Sequence, residues 1–312
     1  MLSLLSVSGI TQDTVQLEKS IIIDGVETNT ISFAFLVLAT GSKSTFPVRP
    51  TVFTIEGVKK AFTDFQQDLS KAKKVLVVGG GPVGFEFAGE VTEFYNGTNG
   101  RDKKQVTLVS SGKHLLDPTF KQGTHNKALA LLKNSGVNTI LGQTITLPEG
   151  INNGSLGETK TFNLSSGETV EADFILLGIG SRPNNDIVVA GLGQSAVDLK
   201  SGRVLVNSTL QLKEYPNIFA IGDINSIAEN KMAAWTGAHA AIVGKNIKAL
   251  ISNTPLKDYK AVSPGMLASY GAKAGAGQFF GISPPSFLAA IIKSKSLFAS
   301  MLWSSANATL SS

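Results

Sequence analysis

The chain has 312 residues, 42% of them apolar and 16% charged, with a formal net charge of +5; that length holds two packed domains and a small extra piece. It contains no cysteine, which excludes structural disulfides, a Cys-x-x-Cys redox pair and thiolate metal sites, so any redox chemistry must live on a bound cofactor. The lysines are scattered and form no long run, the pattern of a solvated surface that tolerates phosphate ligands, with no nucleic acid as partner.

Met1 to Ile10 is apolar and serine-rich but has no basic n-region or cleavage site, so it does not read as a signal peptide. Short strands are expected at Val15 to Leu17, Ser20 to Ile23 and Phe33 to Leu38, with a polar break at Glu27 to Thr30. The last of these runs into Ala39-Thr40-Gly41-Ser42, where backbone and a small hydroxyl can lie against a cofactor because nothing bulky intervenes. Ile55 to Leu69 is expected as a helix, since Val58, Ala61, Phe62, Phe65 and Leu69 share one face.

Residues 75 to 90 are the most informative stretch, because an apolar strand runs straight into Gly79-x-Gly81-x-x-Gly84 and then into a helix. That is the pattern of a dinucleotide site. Gly79 turns the chain out of the strand, Gly81 lets backbone approach a pyrophosphate, Pro82 opens the helix, and Gly84 lets helix and strand pack closely. The expected order continues with helix 82 to 94, strand 105 to 109, a helix over roughly 120 to 134 and strand Val137 to Leu141, which is a βαβ pattern. After the second strand comes Ser110-Ser111-Gly112-Lys113-His114. No carboxylate stands there to repel a 2′-phosphate, and Lys113 or His114 can pair with one, so the reading leans to NADPH or to dual use with NADH.

Residues 148 to 168 read as a polar surface loop or hairpin, followed by a buried strand from Ala172 into Gly178-Ile179-Gly180 and Ser181-Arg182-Pro183-Asn184. Two strand-to-glycine crossings flanking one dinucleotide unit imply that this unit is inserted into another domain. The outer domain resumes with strand Arg203 to Val206 and the segment Tyr215 to Asp223, whose Gly222-Asp223 precedes a helix from about Lys231 to Ile251. In that helix Ala233, Ala234, Gly237, Ala238, Ala240, Ala241 and Gly244 leave a nearly bare surface suited to a large flat ligand. Asp223 has two readings: it accepts from sugar-like hydroxyls of a cofactor, or it closes a turn.

The three histidines, His114, His125 and His239, show no metal-ligand spacing, so no metal site is expected. Gly-x-Ser-x-Gly is absent and the histidines lack a paired carboxylate, which gives hydrolase chemistry little support. Ala274 to Ile292 is interrupted by Gln278, Ser283, Pro284, Pro285 and Ser286 and does not span a membrane. Residues 284 to 303 combine Phe287, Leu288, Ile291, Ile292, Leu297, Phe298, Met301, Leu302 and Trp303 with Lys293 and Lys295. They read either as a helix packed over a sheet or as an amphipathic segment that touches a membrane.

Taken in order, Ala39-Thr40-Gly41, Gly79 to Glu86, Gly178 to Asn184 and Ala220-Ile221-Gly222-Asp223 resemble the pyridine nucleotide-disulphide oxidoreductase superfamily, in its apoptosis-inducing-factor-like branch that includes ferroptosis suppressor protein. Lys231-Met232-Ala233, Pro255-Leu256-x-x-Tyr259 and Lys293-Ser294-x-x-Leu297-Phe298 add to the likeness. The resemblance implies an α/β fold of two Rossmann-like FAD- and NAD(P)-binding domains, with the nicotinamide domain inserted in an incomplete flavin domain and a small C-terminal cap. The expected parts are a flavin-domain fragment at 1–70, the NAD(P)H domain at 71–178, flavin domain again at 179–253 and the cap at 254–312. Members open with a further Gly-x-Gly-x-x-Gly unit for the ADP half of FAD, and this chain is expected to start after it.

Function by the same resemblance is FAD-dependent oxidation of NADH or NADPH, with electrons passed to a quinone or a similar small acceptor. Asp223 would sit against the flavin ribityl chain, Glu86 near the nicotinamide nucleotide, and Lys293 close to the flavin. Glu86 and Lys293 are the expected catalytic residues. Absence of cysteine fits a cytoplasmic location, and peripheral attachment to a lipid droplet, plasma membrane or mitochondrial outer membrane is the accompanying expectation. The rival reading is an NAD(P)H-binding signalling protein, or an inactive fragment, that holds no flavin.

Overall fold

The computed structural model describes residues 6–97, 102–262, 265–294 and 303. Leu297, Phe298, Met301 and Leu302 lie outside the described residues. The chain divides into two compact units, Met1–Lys43 with Ser181–Val262, and Ser44–Gly180 with Ser263–Ser312. The two units alternate along the chain, each built from two separate stretches. Helix 55–71 and the C-terminal segment, however, belong to the nucleotide-type unit rather than to a flavin fragment and a separate cap.

The first unit opens with an antiparallel sheet of β1 (Val7–Ile10), β2 (Thr14–Ile23) and β3 (Val26–Ser32). The polar break expected at Glu27 to Thr30 is part of β3, which is mostly exposed, so a solvated strand needs no apolar alternation. Strand β4 (Leu36–Leu38) then delivers Ala39-Thr40-Gly41, and the short β5 (Ser42–Lys43) ends this first part.

The second unit begins with α1 (Ile55–Lys71), capped by the Thr54 hydroxyl, which accepts from Gly57 N–H at 3.1 Å. Its Phe65 and Leu69 are buried, as the shared face required. There follow β6 (Lys74–Val78), α2 (Pro82–Asn96), β7 (Gln105–Ser110), α3 (Gln122–Asn134), β8 (Asn138–Leu141), β9 (Gly154–Asn163) and β10 (Thr169–Leu177). They form one sheet in the order β8-β7-β6-β10-β9, parallel except for β9, which runs antiparallel along β10. Of the two readings of residues 148–168, loop or hairpin, the hairpin is the one formed: β9 turns back antiparallel into β10 and makes the edge of this sheet. Central strands buried on both faces read as continuous apolar runs, and Val75, Leu76 and Val77 are each no more than 1% exposed.

The first unit resumes with β11 (Arg182–Pro183), which pairs with β5, and α4 (Asp186–Leu192). Strand β12 (Ile218–Ala220) pairs in parallel with β4, and α5 (Ala233–Ile251) follows. Arg203 to Val206, expected as a strand, makes only isolated bridges through Val204 and Val206. The second unit closes with the hairpin β13 (Met266–Tyr270) and β14 (Ala274–Gln278), then α6 (Ser286–Ala289) and one wider turn over Ala290–Ser294. Segment 284–294 lies on the β13–β14 hairpin, where the Ser286 hydroxyl donates to Gly275 O at 2.8 Å and accepts from Gly275 N–H at 3.0 Å. Among the described residues no helix is long and apolar enough to cross a membrane.

Candidate functional sites in the two units

In the second unit, the strand-to-helix turn carries the first site. Gly79 adopts φ +116°, and a Cβ there would lie 2.3 Å from the Gly178 carbonyl oxygen. Only glycine meets both conditions. Gly84 is held as tightly: a Cβ would fall 2.0 Å from Gly79 O. Pro82 takes the first helical position of α2, where its missing N–H costs nothing, and Gly81 is the N-cap. By contrast a Cβ on Gly81 would meet nothing within 4 Å, so the space in front of the helix end is open. A cavity of about 200 Å³ lies at the carboxyl ends of these strands, lined by Val78, Gly79, Val109, Ser111, Thr144 and Ile179 among others. That is where open parallel sheets take their ligands. An open helix start above a strand-end cavity fits a dinucleotide, since the unpaired N–H groups of the first helical turn favour phosphate.

Ser110 is buried, and its hydroxyl accepts from Gly112 N–H at 3.3 Å, which shapes the following turn. Lys113 and His114 are exposed on it. His114 stacks on His125 with ring centroids 4.4 Å apart, and His125 Nδ1 donates to Leu115 O at 2.8 Å.

Glu86 and Lys293, the expected catalytic pair, meet each other. Lys293 Nζ lies 2.5 Å from Glu86 Oε1 and also donates to Leu267 O at 3.0 Å, while Glu86 Oε1 accepts from Ser269 N–H at 2.8 Å. The ion pair thus ties the C-terminal segment to α2. The apolar residues beside it, Phe287, Ile291 and Ile292, remain exposed.

In the first unit, Thr40, Gly41, Asn184 and Asp223 form the second site. Thr40 Oγ1 donates to Asn184 O at 2.8 Å, and Asn184 Nδ2 donates to Thr40 O at 2.7 Å. Gly41 carries its crossing at φ +67°; Gly180, at φ +91°, belongs to the second unit. Asp223 sits in a tight turn with Gly222, itself at φ +71°, and its Oδ2 accepts from Ser42 Oγ at 2.7 Å. The carboxylate is only partly buried and already accepts from a hydroxyl, which suits a group that holds further hydroxyls. Ala39 is exposed, and Ala233, Ala234, Gly237, Ala238, Ala240, Ala241 and Gly244 are all exposed on α5, whose N-cap is Met232 and whose buried side is carried by His239, Val243 and Asn246. Their small side chains leave a flat face beside the turn, so these residues fit the hydroxylated chain and ring of a flavin.

The expectation that no histidine has a carboxylate partner is overturned. His239 Nε2 lies 2.7 Å from Glu229 Oε1, and both side chains are 1% exposed. Ten positions separate them in the sequence, across a loop with no periodic pattern, so spacing gave no signal. Lys231 donates to Asn225 Oδ1 at 2.7 Å and Ile227 O at 2.8 Å. Burial, aided by the nearby Arg203, lowers its pKa to about 8.

The chain matches the pyridine nucleotide-disulphide oxidoreductase family over residues 4–241. It belongs to that family. It is 34% identical over 292 residues to apoptosis-inducing factor homolog B of Dictyostelium discoideum, with 88% of this chain and 73% of that protein covered. It is 30% identical over 282 residues to ferroptosis suppressor protein 1 of Xenopus tropicalis, with coverages of 90% and 73%. The fold is shared with the water-forming NADH oxidase from Lactobacillus brevis bound to NADH, at a TM-score of 0.59 and 21% identity, covering 86% of this chain and 57% of that one. Reduced CoADR-RHD of Bacillus anthracis gives a TM-score of 0.58 at 20% identity, covering 86% and 46%. The chain thus spans about half the length of these solved structures and about three quarters of the two relatives. Its fold is the mixed α/β, Rossmann-like two-domain fold of pyridine nucleotide oxidoreductases.

The lowered pKa of Lys231 makes a stability prediction. The unfolded chain binds the lysine proton up to about pH 10.5 and the folded chain only to about 8, so folding gains stability as pH rises between these values and loses it as pH falls back to 8. In urea unfolding, Lys231→Met flattens this part of the pH profile relative to the parent chain; an unchanged profile contradicts the assignment.

Proposed function

We propose that the chain is an FAD-dependent NAD(P)H oxidoreductase that passes electrons to a quinone or a similar small acceptor. The observation that carries the proposal is the open helix start at Gly81, with its strand-end cavity, in a chain whose other unit presents Asp223 beside a flat small-residue face. Family membership and the fold shared with an NADH-bound oxidase support it.

In this reading Gly79, Gly81, Pro82 and Gly84 hold the pyrophosphate of NAD(P)H against the start of α2. Ser110 shapes the turn that presents Lys113 to the adenosine ribose, and a cation in that place favours a 2′-phosphate, hence NADPH or dual use. Thr40, Gly41 and Asp223 hold the flavin's polyol chain, with Lys231, Met232 and Ala233 leading into the helix whose N-terminal end stabilises negative charge on the ring. FAD held by these residues would supply the redox chemistry, hydride acceptance from the nicotinamide and electron transfer to the acceptor. The protein contributes orientation, exclusion of water and charge rather than a nucleophile. Glu86 fixes Lys293, and the pair holds the C-terminal segment in place; the exposed Phe287, Ile291 and Ile292 beside it suit peripheral contact with a lipid surface from which a quinone is drawn.

A second reading, NAD(P)H binding without flavin, is favoured by one observation. In the first unit β4 and β12, three residues each, form a two-stranded parallel sheet extended only by an isolated bridge from Phe219 to Gln211 among the described residues, and no described residue there supplies a glycine-rich phosphate cradle. Desalting after incubation with excess FAD separates the two readings. Retained visible flavin bands support the oxidoreductase, whereas colourless protein that still binds NADPH supports the second reading. Gly81→Leu should weaken NADPH binding roughly a hundredfold, about 2.7 kcal/mol, with little change in the urea midpoint, because the new side chain meets no protein atom. Normal NADPH binding by this variant would place the nucleotide elsewhere.

A further inference from the structure

The Gly222–Asp223 turn rests on a polar cluster buried in the first unit. Gly222 N–H donates to His239 Nδ1 at 3.1 Å, so that nitrogen carries no proton. The neutral imidazole then has its proton on Nε2, which faces Glu229 Oε1 at 2.7 Å. The other carboxylate oxygen of Glu229 accepts from Tyr259 OH at 2.8 Å and Val262 N–H at 3.1 Å. Tyr259 also sets its ring edge-on to the imidazole, with centroids 4.5 Å apart.

We propose that His239 is the positioning residue of the Gly222–Asp223 turn: its Nδ1 fixes the Gly222 amide, and Glu229 holds the imidazole in the tautomer that can do so. The proposal rests on the reading that Asp223 belongs to a flavin site. A glycine at φ +71° has little intrinsic preference for that conformation. The acceptor beneath it therefore selects the orientation of the turn, and with it the direction of the Asp223 carboxylate. Protonation of His239 would set Nδ1–H against the Gly222 N–H, two donors facing each other, and the turn would have to move. The charged and titratable groups facing His239 are Glu229, Lys231, Tyr259 and the neighbouring Asp223. Burial lowers the His239 pKa and outweighs the raising effect of Glu229, which keeps the acceptor available at neutral pH.

Two substitutions separate positioning from mere packing. His239→Asn places an amide oxygen near the former Nδ1 and keeps an acceptor for Gly222. His239→Gln places an amide nitrogen near the former Nε2 and keeps a donor for Glu229. Hydrogen exchange at the Gly222 amide, followed by NMR, is expected to stay close to the parent chain in His239→Asn and to quicken about tenfold or more in His239→Gln. FAD affinity should follow the same order, falling about tenfold in His239→Gln, although that variant keeps the partner of the buried carboxylate and is the more stable to urea. A packing role alone predicts the reverse order, and equal Gly222 protection in both variants would overturn the proposal. Should His239→Asn fail to fold, the parent chain gives the same answer: the protection factor of Gly222 falls as His239 is protonated at acidic pH, and a constant factor contradicts the proposal. If the parent chain binds no FAD while the amide results hold, the flavin reading fails and the role of His239 in setting the turn stands.

Discussion

The closeness of α2 to β6 is the constraint on which the nucleotide-type unit depends. Gly84 lies so near Gly79 O that no side chain fits between them, and Gly79 is in turn pressed on Gly178. Three glycines from two neighbouring strands and one helix are thereby locked together. Their packing aims the helix start at the carboxyl ends of the parallel strands, and leaves Gly81, the one glycine of the motif with free space above it, to face a ligand. Steric contact fixes the frame, while the helix's unpaired N–H groups give that frame an affinity for phosphate.

The first unit solves a different problem. Its short parallel pair β4–β12 brings the Thr40–Gly41 crossing beside the Gly222–Asp223 turn, and small side chains and hydroxyls, rather than a glycine cage, form the surface there. Behind that surface lies a histidine–carboxylate pair with almost no exposure. Buried charge is costly unless fully hydrogen-bonded, and Glu229 meets the condition with donors from His239, Tyr259 and Val262. The pair thus ties α5 and the 254–262 segment to the turn that carries Asp223.

How much of this was legible in the sequence follows from the physics of each element. The parallel strands were, because burial on both faces leaves uninterrupted apolar runs, and so were α1 and α2, whose faces or glycines announce them. Strands β3 and β9 were not, since solvent reaches most of their side chains and nothing forces alternation. The β13–β14 hairpin escaped notice because its alanines and glycines carry little hydrophobic signal; Gly275 and Gly277 are small because a Cβ at either would strike the opposite strand. Among site residues, the glycines and Asp223 could be picked out by motif. Glu229 and His239 could not, as their meeting depends on how a loop returns to a helix, and the pairing of Glu86 with Lys293 likewise requires the fold.

An oxidoreductase built this way must let a nicotinamide bound in the glycine frame reduce a flavin held by the same chain. Mixing FAD-loaded protein with NADPH in the absence of oxygen, and following the flavin absorption, measures this directly. The visible bands should bleach at a rate that saturates with NADPH and return when a quinone is added. Bands that persist while NADPH is bound would contradict the redox role.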